Sequence, residues 1–217
     1  MYPPKITRRH KDAEICGQRN ADERGTLCKM VDRSIITNAL PIADHGYESD
    51  NLMAHIQEKS WKFLIRIKAI HSSGIAAGLH LSSRDKFDVI FDLNFTKRQT
   101  VEAKRLLEEN ENYKFLPSTV TFDYLPTSSR KHDPFTSYYL PFRVVRFKIS
   151  NTAYEAVITS LDHKQFPPEE LKRLYSMRWG IETSFRELKS YSVFTQKRWR
   201  ILPRRFLPDS LCTTFLK

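Results

Sequence analysis

The chain has 217 residues, of which 40% are hydrophobic and 28% are charged, as is usual for a globular protein. Its formal net charge of +11 favours a polyanionic partner, such as nucleic acid or an anionic surface. No segment approaches the roughly 20 apolar residues of a membrane span, and the basic N-terminus lacks the apolar core of a signal peptide, so we expect a soluble cytoplasmic protein. The three cysteines and seven histidines show no zinc-site spacing.

Two helices and a short strand are predicted before residue 60. The segment Asp22–Arg33 has apolar residues at helical spacing, and Asn20 can cap it. Residues 34–43 are apolar and predict a short buried strand at their end. The next residues, Asp44–Tyr47, read D-H-G-Y and are typical of a turn. Residues 48–59 predict the second helix.

The following segment, Trp61–Ile70, alternates between two kinds of side chain. One face carries Trp61, Phe63, Ile65 and Ile67, and the other carries Lys62, Leu64, Arg66 and Lys68. This alternation predicts a half-buried strand with a basic outer face. Strand, turn, helix and strand in this order favour an α/β core.

The middle of the chain predicts a strand-rich region. Asp88–Phe95 alternates like a strand, Thr100–Asn110 is helix-like and charged, and Thr119–Leu125 is another short β-type run. Two strongly apolar strands follow, over Tyr138–Ile149 and Tyr154–Leu161. Their apolar residues fall on both faces, as in the central strands of a sheet.

The most informative segment is Glu170–Lys189, which predicts one long helix opened by two prolines. Four polar residues share one face of this helix: Tyr175, Arg178, Glu182 and Lys189. At about 100° per residue they fall within a sector roughly 60° wide, beside an apolar stripe. A lone carboxylate with two cations and a phenol suits a metal-binding acid flanked by groups that hold phosphate. The alternative is a set of solvated surface ion pairs at helical spacing.

The spacing Y-x2-R-x3-E-x6-K of these four residues resembles the signature of bacterial DDE transposases of the insertion sequence four group. The stretch Pro41–Lys68 resembles the block of the same family around its second catalytic aspartate, and the similarity runs from about Asp12 to Lys189. The resemblance implies a ribonuclease-H-like α/β fold, in which a mixed sheet flanked by helices carries a strand-rich insertion before the last catalytic helix.

The resemblance also implies how the chain is divided. Residues 1–70 would form a partial ribonuclease-H-like core, and residues 71–137 would form the strand-rich insertion. Residues 138–190 would complete the core with the glutamate-bearing helix. Residues 191–217 would be a basic irregular tail.

The activity implied by the resemblance is Mg²⁺-dependent cleavage and strand transfer of DNA at transposon ends, with Mn²⁺ as the alternative ion. Asp44 would be the second and Glu182 the third of three metal-binding acids, since Mg²⁺ prefers hard oxygen ligands. For Asp44 the alternative is an ordinary turn-forming aspartate.

Four residues are expected to contact DNA phosphates: Tyr175, Arg178, Lys189 and Arg66. The first three match the family signature. Arg66 would extend the same track together with Lys68, unless both belong to a solvated strand face. Such contacts position DNA without reading its sequence.

The chain departs from the family pattern at both ends. The family's first aspartate lies upstream of the helix at Asp22–Arg33, where this chain has only Asp12 in dissimilar surroundings. We therefore expect the first acid and the amino-terminal DNA-binding region to be absent, and the activity to be weak or lost. Within the turn, His45 replaces the usual arginine. After Lys189 comes a basic segment broken by prolines, which is either a phosphate-binding arm or, as we favour, a frameshift product.

Three functions follow from these observations. The first is a DDE transposase lineage in which this copy is truncated and weakly active or inactive. The second is a non-catalytic DNA-binding protein that inhibits a full-length transposase by occupying transposon ends or entering mixed oligomers. The third is an unrelated basic binding module whose helix mimics the signature. In the first two cases we expect a bacterial protein that forms homo-oligomers or mixed oligomers and associates with the nucleoid when bound to DNA.

Overall fold

A computed structural model of the chain shows a mixed α/β architecture built on one six-stranded sheet. The residues that it describes are 22–68, 74–82, 84–126, 134–150 and 152–178. Four α-helices accompany the sheet within these residues. This confirms the predicted mixed sheet flanked by helices, and the arrangement is compatible with a ribonuclease-H-like fold.

The described elements follow one another in chain order. They are α1 (Glu23–Arg33), β1 (Ile42–Ala43), a 3-10 turn (His45–Tyr47), α2 (Asp50–Glu58), β2 (Leu64–Arg66), a second 3-10 turn (Ile75–Gly78), β3 (Phe87–Thr96), α3 (Val101–Glu109), β4 (Tyr113–Phe115), β5 (Tyr138–Lys148), β6 (Tyr154–Thr159) and α4 (Pro168–Ser176). The strand order across the sheet is β1-β2-β6-β5-β3-β4. β1 pairs with β2 and β3 with β4 in parallel, and the other neighbouring strands are antiparallel.

The first three helices begin where the sequence supplies a side-chain oxygen for their free N–H groups. Asp22 caps α1, Ser49 caps α2 and Thr100 caps α3. Asp22 therefore has the role predicted for Asn20, which lies outside the described residues. α4 begins instead with Pro168 in its first turn, and two glutamates there suit its positive end.

The inner strands of the sheet are buried on both faces. One apolar cluster includes residues of α1 and α2 together with Phe63 and Ile65 of the β2 region. The second includes residues of α4 together with Leu64. Successive residues of a strand point to opposite faces, so β2 and β5 contribute to both clusters. β5 and β6 are internal in the strand order, which confirms their prediction as central strands.

The prediction for Trp61–Ile70 is wrong in two respects. Within residues 61–68, the described part of this segment, the strand is confined to Leu64–Arg66, and the second face of those three residues is not an open basic face. Leu64 is fully buried and the Arg66 side chain is only 36% exposed. The reason is that β2 is an internal strand, and the second apolar cluster, with α4, covers this face.

Other differences concern short or irregular segments. Thr119–Leu125 forms no strand, and its apolar residues pack into the first cluster from an irregular loop. The sequence does not predict β4, because three residues are too few to show alternation. Of the long helix predicted over Glu170–Lys189, residues 170–176 belong to α4. Met177 and Arg178 lie in a turn after α4, and residues after 178 lie outside the described residues. The division into domains stays a prediction.

Arg143 on β5 joins the sheet to the loop that precedes α4. Its side chain is 3% exposed and makes two hydrogen bonds of 2.7 Å with Asp88 on β3. Its Nη1 also donates to the carbonyl oxygens of Leu161 and Phe166. A forked pair of this kind fixes direction as well as distance. Arg143 therefore ties β5 and β3 to the loop that leads into α4.

We expect Arg143→Met to lower the free energy of unfolding by about 3 kcal/mol, because Asp88 and two carbonyl groups lose their donor. Urea denaturation followed by circular dichroism measures this change. The matched control is Arg105→Met, which removes an exposed pair with Glu109 and should cost less than about 0.5 kcal/mol. Equal losses in the two variants would show that Arg143 does not anchor the loop.

Candidate functional site

The carboxyl ends of β1 and β2 bring Asp44 and Arg66 together at one edge of the sheet. The two strands are parallel, and Ala43 is level with Ile65. The residues that follow them are therefore neighbours. Asp44 Oδ1 lies 3.5 Å from Arg66 Nη1.

α4 brings a second arginine to the same carboxylate. Leu171 and Tyr175 lie one turn apart and are both buried in the second apolar cluster. Arg178 follows the helix, and its Nη1 lies 3.9 Å from Asp44 Oδ2. The guanidinium carbon of Arg178 is 5.4 Å from the centre of the Tyr175 ring, a cation–π distance. Asp44 thus has arginines from two distant segments beside its two oxygens.

His45 fixes the orientation of the Asp44 carboxylate. Its backbone N–H donates to Asp44 Oδ1 over 2.8 Å, and its ring Nδ1 lies 3.0 Å from the same oxygen. Asp44 also caps the 3-10 turn that follows it, as the turn-forming interpretation expects. The same side chain therefore serves the local turn and faces both arginines.

The Asp44 carboxyl group is held in its ionised form. Burial by itself would raise its pKa, but the hydrogen bonds from His45 and the charge of Arg178 outweigh burial and hold the pKa below its usual value. The side chain is 33% exposed. Asp44 is therefore a charged carboxylate at neutral pH that remains accessible from solvent.

Tyr175 is buried rather than open to solvent. Its side chain is 2% exposed, and burial raises the pKa of its phenol. Among the described residues its hydroxyl has no hydrogen-bond partner. In this structure the Tyr175 ring supports the Arg178 guanidinium, and the direct phosphate contact expected from the sequence stays a prediction.

Two glutamates near this edge are not among the site residues predicted from the sequence. Glu155 Oε1 lies 3.7 Å from Arg66 Nε, because β6 runs antiparallel to β2 and begins where β2 ends. Glu48 is 5% exposed and accepts hydrogen bonds from the backbone N–H groups of Lys68 and Ile75, which ties the end of β2 to a later segment. The one signal available for Glu155 is a charge inside an otherwise apolar strand.

The structure brings together the predicted site residues that it describes: Asp44, Arg66, Tyr175 and Arg178. Glu182 and Lys189 lie outside the described residues. Within the described ranges there is no group of three His, Cys, Asp or Glu side chains that could hold a metal ion. Asp44 fits one hard oxygen ligand of such an ion. Its Oδ2 is the better placed oxygen, because Oδ1 is already engaged by His45.

Cys28 does not provide an alternative chemistry. It is buried, and burial raises the pKa of its thiol to about 12, so it is a structural residue rather than a nucleophile. Among the helices in the described part of the chain, none is both long enough and apolar enough to cross a membrane.

A family model described as Transposase DDE domain matches residues 13–207. The chain belongs to this family. The match covers most of the 217 residues and excludes an unrelated binding module. Members of the transposase family act on DNA, and DDE domains generally use divalent metal ions. Comparison with curated proteins and with solved structures finds no match.

The lowered pKa of Asp44 leads us to expect a loss of stability in acid. A carboxyl group whose pKa is lowered on folding stabilises the native state above its unfolded pKa of about 3.9. That contribution disappears as the pH falls through the lower folded value. The unfolding free energy of the wild type should therefore fall more steeply below about pH 4 than that of Asp44→Asn. Denaturation curves at a series of pH values measure both slopes, and parallel curves would contradict the role of His45 and Arg178.

Proposed function

We propose that this chain is an insertion-sequence transposase of the insertion sequence four group, which cleaves DNA at transposon ends and transfers the cut strands. The observation that carries the proposal is the placement of Asp44 between Arg66 and Arg178 in a chain of the DDE family. An ionised acid flanked by two guanidinium groups at a sheet edge supports a site where a metal ion and a DNA phosphate meet.

Asp44 and Glu182 would be the residues that hold Mg²⁺, or Mn²⁺ in its place. A divalent ion in such a site activates the attacking hydroxyl group and stabilises the leaving oxygen. The contribution of the described residues is orientation: His45 holds Asp44 Oδ1, which leaves Oδ2 with only the 3.9 Å ion pair to Arg178.

The same edge would hold DNA through its cations. The Tyr175 ring packs against the Arg178 guanidinium at a cation–π distance. The forked shape of arginine matches the oxygens of a phosphate. Arg66 would extend this contact, and Lys189 would add a point charge. The formal net charge of +11 favours DNA as partner. Self-association, mixed oligomers with a full-length transposase and association with the nucleoid are part of the same proposal.

A second candidate is a non-catalytic DNA-binding protein that inhibits a full-length transposase. The observation that favours it is the pair of arginines beside Asp44, since contacts to phosphate position DNA whether or not it is cleaved. Such contacts would let the chain occupy transposon ends without cleaving them. The family match extends past Lys189 to residue 207, and the frameshift interpretation of the tail stays a prediction that the other reading frames of the gene would test.

We expect Arg178→Ala and Lys189→Ala each to weaken binding of duplex DNA. Loss of one phosphate contact makes the fall of log affinity with log salt less steep by about 0.9. The loss of affinity relative to the wild type is then about eightfold greater at 0.1 M than at 1 M salt. Fluorescence anisotropy across a salt series measures the slope. Arg105→Ala, which removes an exposed cation on α3, is the matched control. A slope unchanged in both test variants would remove the phosphate-holding role.

We expect at most slow nicking of DNA that carries the flanks of this gene, in the presence of Mg²⁺ or Mn²⁺. Any nicking should disappear in Asp44→Ala and in Glu182→Ala, because each loses a metal ligand. A gel assay on supercoiled plasmid measures it. Rapid cleavage that depends on Glu182 would overturn the expected weak activity. Cleavage that persists in both variants would overturn the assignment of the acids.

A further inference from the structure

Arg66 lies between two carboxylates rather than against one. Its Nη1 is 3.5 Å from Asp44 Oδ1, and its Nε is 3.7 Å from Glu155 Oε1. Both distances exceed the roughly 3.2 Å limit of a good N–H···O hydrogen bond. Arg66 is therefore attracted to both acids but forms a close hydrogen-bonded pair with neither.

Glu155 is held in place by the sheet. It lies on β6 opposite Phe147 of β5, two residues before Val157, which is the partner of Arg66 across the sheet. Residues two apart on a strand share a face, so the Glu155 side chain lies diagonally next to Arg66. Its side chain is 16% exposed. A charged group on an internal strand has little freedom to leave its partner.

We propose that Glu155 is a positioning residue that prevents Arg66 from closing onto Asp44, an inference that rests on the proposed contact of Arg66 with a DNA phosphate. In the variant without this charge, Asp44 is the remaining carboxylate within ion-pair distance of Arg66 among the described residues. A forked arginine–carboxylate pair with distances of about 2.8 Å then forms. That pair removes Arg66 from DNA and engages the carboxylate that would bind a metal ion.

The proposal predicts an effect opposite in sign to that of bulk charge. Glu155→Gln raises the net charge by one, so a general electrostatic effect would strengthen the binding of DNA. The positioning role weakens it instead, because the number of effective phosphate contacts falls by one. Glu155→Asp keeps the charge and should retain most of the wild-type affinity.

The test is a salt titration of the full chain with a short DNA duplex of mixed sequence, read by fluorescence anisotropy. We expect Glu155→Gln to make the fall of log affinity with log salt less steep by about 0.9. Its loss of affinity relative to the wild type should then be about eightfold greater at 0.1 M than at 1 M salt. Glu169→Gln removes an exposed glutamate from α4 and should leave the slope unchanged. Combined with Arg66→Ala, Glu155→Gln should add no further loss. Thermal unfolding midpoints identify variants that fail to fold, and Glu155→Asp then carries the comparison.

The outcomes separate the positioning role from the proposed function. If Arg66→Ala leaves DNA binding unchanged, the phosphate contact of Arg66 fails and the role of Glu155 fails with it. If Arg66→Ala weakens binding while Glu155→Gln strengthens it or has no effect, the positioning role alone is overturned. Additive losses in the double variant would show that Glu155 acts independently of Arg66 and would overturn it as well.

Discussion

The pairing of β2 with a parallel strand on one side and an antiparallel strand on the other is the constraint on which the site depends. The parallel neighbour β1 ends at the same edge as β2 and delivers Asp44. The antiparallel neighbour β6 begins at that edge and delivers Glu155. α4 packs through Leu171 and Tyr175 on the face of the sheet that carries Leu64 of β2. This packing brings Arg178 to the Asp44 carboxylate. Separated segments thus meet at one place without any of them containing a complete site.

Arginine–carboxylate pairs have two different purposes in this molecule, and distance and burial separate them. Arg143 is 3% exposed and holds Asp88 through two 2.7 Å hydrogen bonds, so it is part of the framework. The pairs around Asp44 are 3.5 and 3.9 Å long and partly exposed, so they are weaker and can be exchanged. Among the described residues, the two acids and two arginines of these pairs balance in charge.

Local patterns predict the elements well where they extend over several residues. The alternation of Asp88–Phe95 and the apolar runs after Tyr138 correspond to β3, β5 and β6. The same reasoning assigns the wrong environment to one face of β2, since alternation cannot show that α4 will cover Leu64. It also predicts a strand at Thr119–Leu125, where the apolar residues serve loop packing instead. These failures share one cause, because burial in them comes from residues far along the chain.

The sequence by itself determined the family signature, most of the longer helices and strands, and the choice of Asp44, Arg66, Tyr175 and Arg178 as site candidates, because spacing and residue type are local properties. Only the tertiary structure decided the strand order, the burial of Tyr175 and the position of Glu155 beside Arg66. A strand carries the same periodicity whichever neighbour it pairs with. Pairing depends on the packing of the whole sheet, so no local pattern reveals which charges will meet across it.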